Sequence, residues 1–205
     1  MVDSKIDLVL KKIEKQEKFE QENPRQIPNA EKVLAIGRDT GIFYNILLQT
    51  MKAKNVLEIG MSAGYSTMWF ADAISEQEGR IITIDHDQQK IERAKNNFTE
   101  AGVENLIEIR RGDALEVLSE ICKKYPQGFF DFVFIDADKE RYIQYFDNVL
   151  PLVRVGGIIG ADNILYPERF QKFTTPYLEH VRKNPKIKSV TIPIDNGEEI
   201  SLKLP

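Results

Sequence analysis

The chain is poor in cysteine, histidine and tryptophan: one Cys, two His and one Trp in 205 residues. The lone Cys122 excludes an internal disulfide framework and fits a reducing compartment, so a cytoplasmic location is expected. Cys122 falls in the helical pattern Ala114–Lys124, where a buried structural role is expected. No apolar run approaches the roughly 18 residues of a membrane-spanning helix, so no membrane partner is expected. The start, Met1-Val2-Asp3-Ser4-Lys5, leads into charge and lacks the apolar stretch of a signal peptide. The net charge of −4 gives no sign of broad nucleic-acid affinity but leaves room for a local basic site. Hydrophobic residues make up 42%, which excludes a disordered or membrane composition. The length suits one domain, with a helical part over 1–52 and a core over 53–205.

What is present is a regular alternation. Residues 3–22 carry Ile6, Val9, Leu10 and Ile13 at helical spacing, an apolar stripe that needs a partner in its own domain or across a two-fold. Asn23-Pro24-Arg25-Gln26-Ile27-Pro28 breaks the pattern, and a second helix is predicted over Ala30–Met51, interrupted near Gly37 or Gly41. Strand-like runs follow at Asn55–Ile59, Arg80–Ile84, Leu106–Arg110, Phe130–Ile135 and Gly156–Gly160. Helical patterns separate them at Tyr65–Ser75, Gln88–Ala101, Ala114–Lys124 and Tyr142–Leu152, with another at Pro167–Arg182. Such alternation predicts an α/β fold whose parallel sheet is covered on both faces. Two last strands, Ile187–Pro193 and Glu199–Lys203, are joined through Asp195-Asn196-Gly197; Asn-Gly is a hairpin signal, so the chain ends in an antiparallel pair.

Two motifs sit just past strand ends, where open α/β sheets bind ligands: Asp136-Ala137-Asp138-Lys139 and, 26 residues after Asp136, Asp162-Asn163. Two carboxylates and an amide converging there describe a site for a hard cation. Each motif alone reads more simply as a solvated loop, a turn or a helix cap. Their joint placement after consecutive strands favours the cation, and Lys139 adds a candidate base. Near the first strand, Glu58-Ile59-Gly60-Met61-Ser62-Ala63-Gly64 forms a glycine loop, and Asp85 ends the next strand, placed to accept hydrogen bonds from ribose hydroxyls.

Three readings of that loop compete. A dinucleotide prefers Gly-x-Gly-x-x-Gly, and the middle glycine is missing here. Gly-x-Ser-x-Gly fits a hydrolase nucleophile elbow at Ser62 with His180 as base, but the elbow would follow the first strand and leave Asp85 without a role. S-adenosylmethionine uses Glu58, Gly60, Gly64 and Asp85 together, with loop N–H groups free to take its carboxylate. His86 and His180 read as surface or packing residues, though His86 neighbours the nucleoside, and Trp69 and Phe70 read as core.

Glu58-Ile59-Gly60 with Gly64-Tyr65-Ser66, Ile135-Asp136-Ala137-Asp138-Lys139 with Tyr142, and Ala161-Asp162-Asn163 together resemble the class I, metal-dependent O-methyltransferases of the catechol and caffeoyl-CoA type, over about Gln26 to Lys203. The resemblance implies a Rossmann-like sheet of seven strands, mostly parallel with a reversed last strand, helices on both faces and extra N-terminal helices. It implies cation ligands at Asp136, Asp162 and Asn163, with magnesium first and calcium or manganese as alternatives. Catalytic roles fall to Lys139, as base, and Asp136. Implied contacts for S-adenosylmethionine are Ile36, Glu58, Gly60, Met61, Gly64, Ser66, Asp85, His86, Asp113, Ala114, Asp136 and Asp138. The implied acceptor is a small phenol with vicinal hydroxyls; a hydroxylated uridine of transfer RNA is a second substrate class, and a non-catalytic cofactor-binding protein a third reading. Ile164-Leu165-Tyr166-Pro167-Glu168-Arg169 departs from the plant enzymes, so a coenzyme A ester is not implied; Tyr166, Arg169 and Pro24–Pro28 are candidate pocket walls. The family implies a homodimer.

Overall fold

The computed structural model describes residues 2–23 and 32–205. Seven strands form one sheet: β1 (Asn55–Ile59), β2 (Arg80–Asp85), β3 (Ile107–Arg111), β4 (Phe130–Ile135), β5 (Val153–Ala161), β6 (Ile187–Ile192) and β7 (Glu198–Lys203). Their order is β3-β2-β1-β4-β5-β7-β6. The first five pair in parallel, while β7 runs antiparallel to both β5 and β6. The hairpin expected from Asn196-Gly197 therefore forms, and its second strand slots between β5 and β6. The order reverses beside β1, which places the switch point between β1 and β4, where such sheets open a crevice at their carboxyl ends.

Seven helices complete the described residues: α1 (Ser4–Glu22), α2 (Arg38–Thr50), α3 (Tyr65–Ile74), α4 (Gln88–Ala101), α5 (Ala114–Lys124), α6 (Tyr142–Val149) and α7 (Gln171–Lys183). Strands β1, β2 and β4 are buried on both faces, so each face needs a cover, whereas the edge strand β3 alternates Ile with Glu108 and Arg110. One core contains residues of α1 to α4 packed on one face, with Leu10, Leu48, Trp69, Phe70 and Phe98. The other lies under α5 to α7, with Leu118, Tyr145, Phe146 and Val181. Trp69 and Phe70 are core residues, as their positions predict.

The N-terminal stripe is covered by the chain itself. Ile6, Val9, Leu10 and Ile13 are buried in the first core, so they supply no motive for a two-fold contact. Two expectations need correction. The second helix starts at Arg38, since Val33 N–H donates to Glu20 Oε2 at 2.7 Å and Asp195 Oδ2 accepts from Thr40 N–H, which holds the preceding segment in irregular backbone. Cys122 is exposed, because α5 buries the face carrying Val117, Leu118 and Ile121 and position 122 turns away from it.

Candidate active site

A cavity of about 800 Å³ opens at the carboxyl ends of β1, β2, β4 and β5, a size suited to a nucleoside-containing ligand with a small second molecule. Its walls bring together Gly60, Asp85, His86, Asp113, Ala114, Asp136, Asp138, Lys139, Asp162 and Asn163 of the expected site. Phe170, Phe173, Pro167 and Arg169 add a wall from the start of α7, as expected for Arg169. Tyr166 is exposed outside that wall, and Pro24–Pro28 lie outside the described residues.

On the β1–β2 side, the chain satisfies its own polar groups. Asp85 Oδ2 accepts from the backbone N–H groups of Met61 (3.3 Å) and Ser62 (2.9 Å), and Oδ1 accepts from Asp87 N–H. Gly60 N–H donates to the Ile84 carbonyl and Gly64 N–H to that of Met61. The expectation that these loop amides stand free for a ligand carboxylate is therefore corrected: Asp85 and neighbouring carbonyls use them. Gly60 adopts φ +95°, and a Cβ there would sit 2.1 Å from the Asp136 carbonyl oxygen, so its bareness serves the approach of two chain segments. Gly64 backs onto the Phe98 ring, away from the cavity.

Glu58 is likewise not a wall. It is fully buried on β1 and accepts from the hydroxyls of Ser66 (2.5 Å), Thr67 (2.5 Å) and Thr83 (2.6 Å). Burial pushes its carboxyl up to about 7 despite those three donors. Ser66 is thus spent on Glu58, while Met61 and Ile36 are buried in the first core and form no part of the cavity wall. At the far rim, Asp113 caps α5 through Leu115 N–H and accepts from Arg141 at 2.6 Å; this guanidinium holds its carboxyl below the usual range. Ala114 follows at the helix start, and His86 is exposed, with Nδ1 3.9 Å from Asp85.

The β4–β5 side is organised by charge. Asp136 and Asp162 follow adjacent paired strands, and Asp162 N–H donates to the Ile135 carbonyl. Lys139 is buried, with Nζ 2.7 Å from Asp136 Oδ1 and over the rings of Tyr142 (4.9 Å) and Phe170 (5.8 Å). Tyr142 OH donates to the Asp162 carbonyl, tying α6 to the end of β5. Burial and the neighbouring Asp136 carboxylate push the Asp162 carboxyl up. Asn163 takes φ +58°, and its N–H donates to Asp162 Oδ1.

Among the described residues, no three His, Cys, Asp or Glu side chains are grouped to hold a metal ion. The expected ligands are instead two carboxylates and one amide, all lining one cavity. That donor set is oxygen-only, carries net negative charge and leaves one carboxylate short of donors, which fits a hard divalent cation. The elbow reading is not assembled: His180 sits 2.7 Å from Asp147 and is no part of the cavity wall that holds Ser62.

Two groups went unnoticed in the sequence. Tyr44 OH donates to Glu198 Oε2 at 2.5 Å, and both residues are buried behind Asp162. Their separation of 154 positions leaves no local signal of the pairing.

Comparison with known proteins fits this geometry. A family model described as O-methyltransferase matches residues 12–204. Caffeoyl-CoA O-methyltransferase 1 of Eucalyptus globulus is 32% identical over 180 residues, 80% of this chain and 73% of the relative. Catechol O-methyltransferase of Niastella koreensis is 39% identical over 132 residues, 64% of this chain and 59% of the relative. The crystal structure of an O-methyltransferase from Bacillus cereus in complex with SAH is 27% identical with a TM-score of 0.78, covering 98% of this chain and 91% of that one. The chain therefore belongs to the O-methyltransferase family, and its reaction is O-methyl transfer from S-adenosylmethionine.

Proposed function

We propose that the protein is a divalent-metal-dependent O-methyltransferase whose acceptor is a small phenol with vicinal, catechol-like hydroxyls. The observation that carries this reading is the meeting of Asp136, Asp162, Asn163 and Lys139 on one wall of the cavity that also holds Asp85 and Ala114. S-adenosylmethionine supplies an electrophilic methyl group on a sulfonium. A divalent cation, held by Asp136, Asp162 and Asn163, supplies Lewis acidity toward a phenol whose pKa, by analogy with tyrosine, is about 10.

The chain's own groups divide the work. Asp85, pinned by the Met61, Ser62 and Asp87 amides, presents a preset acceptor edge to ribose hydroxyls. Asp113 and Ala114 line the cavity at the start of α5, where they would meet the base. Asp138 and His86 border the same compartment, while Glu58, Ser66, Gly64, Met61 and Ile36 support it from behind. Lys139 Nζ, beside Asp136 and over the Tyr142 and Phe170 rings, would accept the acceptor's hydroxyl proton as the neutral amine, after releasing its own ammonium proton to solvent. Phe170, Phe173 and Pro167 offer flat apolar faces for an aromatic acceptor.

Transfer of a labelled methyl group to a panel of catechols, in magnesium and in chelator, tests the reading. Magnesium-dependent labelling of catechols and none of their mono-hydroxyl analogues is the expected result. Labelling that persists in chelator removes the metal. Labelling of hydroxylated transfer RNA in place of the catechols moves the acceptor to nucleic acid.

A further inference from the structure

Glu198 stands directly behind the proposed cation site. Strands β5 and β7 pair Ile159 with Ser201 and Ala161 with Glu199, so one further step sets Asp162 opposite Glu198. Like charges opposed across strands destabilise a sheet, and burial enlarges the cost. Yet Glu198 is fully buried, with its carboxyl within hydrogen-bonding reach of that of Asp162. Tyr44 OH donates to Oε2, and no donor reaches Oε1.

The surroundings are built for this contact. Tyr44 is packed edge-on against Phe70 and Phe134 and tilted on Phe132, so its hydroxyl has a fixed address. That hydroxyl passes over Gly160, where a Cβ would lie 2.5 Å from it. Asp162 is thus flanked by two acidic side chains, Asp136 on the side of Lys139, whose Nζ it engages, and Glu198 behind. Glu198 itself does not reach the cavity wall, so it can act on a bound cation only through Asp162.

We infer that Glu198 is a positioning residue: held by Tyr44, it backs Asp162 across the β5–β7 seam, turns that carboxylate toward the cavity and so strengthens divalent-cation binding. The inference rests on the metal-dependent reading above. Groups behind a metal's direct ligands commonly change affinity by about 10- to 100-fold.

Calorimetric titration of metal-stripped protein with Mn²⁺, alongside titration with S-adenosylhomocysteine and thermal unfolding in chelator, tests it. Glu198→Leu removes the backing group and is expected to weaken Mn²⁺ binding at least tenfold while S-adenosylhomocysteine binding stays within twofold. Glu198→Gln keeps the shape and a polar contact to Asp162 and Tyr44, and is expected to recover most of that loss. Wild-type Mn²⁺ affinity in Glu198→Leu overturns the inference, as does an equal loss of both ligands with a fall in Tm that Gln does not rescue. Should Glu198→Leu fail to fold, Tyr44→Phe decides: about threefold weaker Mn²⁺ binding supports the role and an unchanged value overturns it. Wild-type protein that binds no Mn²⁺ at millimolar concentration removes the metal reading and this inference together. Wild-type binding with unaffected variants removes the inference alone.

Discussion

Two buried carboxylates near the carboxyl end of this sheet are in opposite condition. Glu58 on β1 has three hydroxyl donors and ties β1 to α3 and β2. Asp162 past β5 has one backbone N–H from its own neighbour, with the Asp136 carboxylate beside it and the buried Glu198 carboxyl behind it. Buried polar groups are normally satisfied, so the first is finished as folded and the second is finished by something that arrives. The same contrast separates the two sides of the cavity: the β1–β2 side is closed upon itself by backbone amides, while on the β4–β5 side acidic groups face one another.

The two sides are therefore expected to fail differently. The largest effect is expected from Asp162→Ala, which should lower turnover by on the order of 10³ while leaving cofactor affinity within about threefold. Cofactor binding by calorimetry and initial rates at saturating cofactor separate the two, and retention of full activity refutes the ligand assignment. Lys139→Met should lower kcat by on the order of 10² with cofactor binding unchanged; a matching loss of cofactor affinity would make Lys139 a binding group.

Asp85→Ala attacks the other side. It removes a charged acceptor and frees three loop amides, so cofactor affinity should fall by about 10- to 100-fold. Turnover at saturating cofactor should change much less, and a loss confined to kcat would erase the contrast. The smallest effect concerns stability. Burial holds the Glu58 carboxyl at about 7, above the ordinary 4.5, so the folded protein takes up this proton before the unfolded chain does. Its contribution to stability grows as pH falls from about 7 toward 4.5 and is lost as pH rises through 7. Compared with Glu58→Gln, the wild type should gain Tm on acidification across that window; parallel curves would show that the hydroxyls neutralise the cost of burial.

Much of the acceptor side was legible because its residues follow strand ends, and strand ends are marked by where apolar runs stop. Phe130–Ile135 ends before Asp136, and the apolar run after Gly156 ends before Asp162, so the sheet alone brings them together. Glu58 was legible as important but assigned to the wrong surface, since sequence does not tell which face of a doubly covered strand a carboxylate takes. The loop amides carry no local mark either: Asp85 at the end of β2 accepts from Met61 and Ser62 beyond β1, a pairing that the register of the two strands sets up. Glu198-Glu199 at the start of a strand looks like a solvated turn. Only the insertion of β7 between β5 and β6 buries both side chains, and that order is a property of the assembled sheet. Lys32–Gly37 escaped as well, because its partners, Glu20 and Asp195, come from distant parts of the chain.

Gly60 connects the two sides. Asp136 N–H donates to the Ile59 carbonyl at 2.8 Å, and the Asp136 carbonyl oxygen occupies the space a side chain at position 60 would claim. The spacing between the β1 loop and the loop after β4 is therefore set by an absent carbon. Gly60→Ala would act as a wedge of one methyl group driven between donor and acceptor, a calibrated displacement in a reaction whose rate depends on ångström-scale alignment.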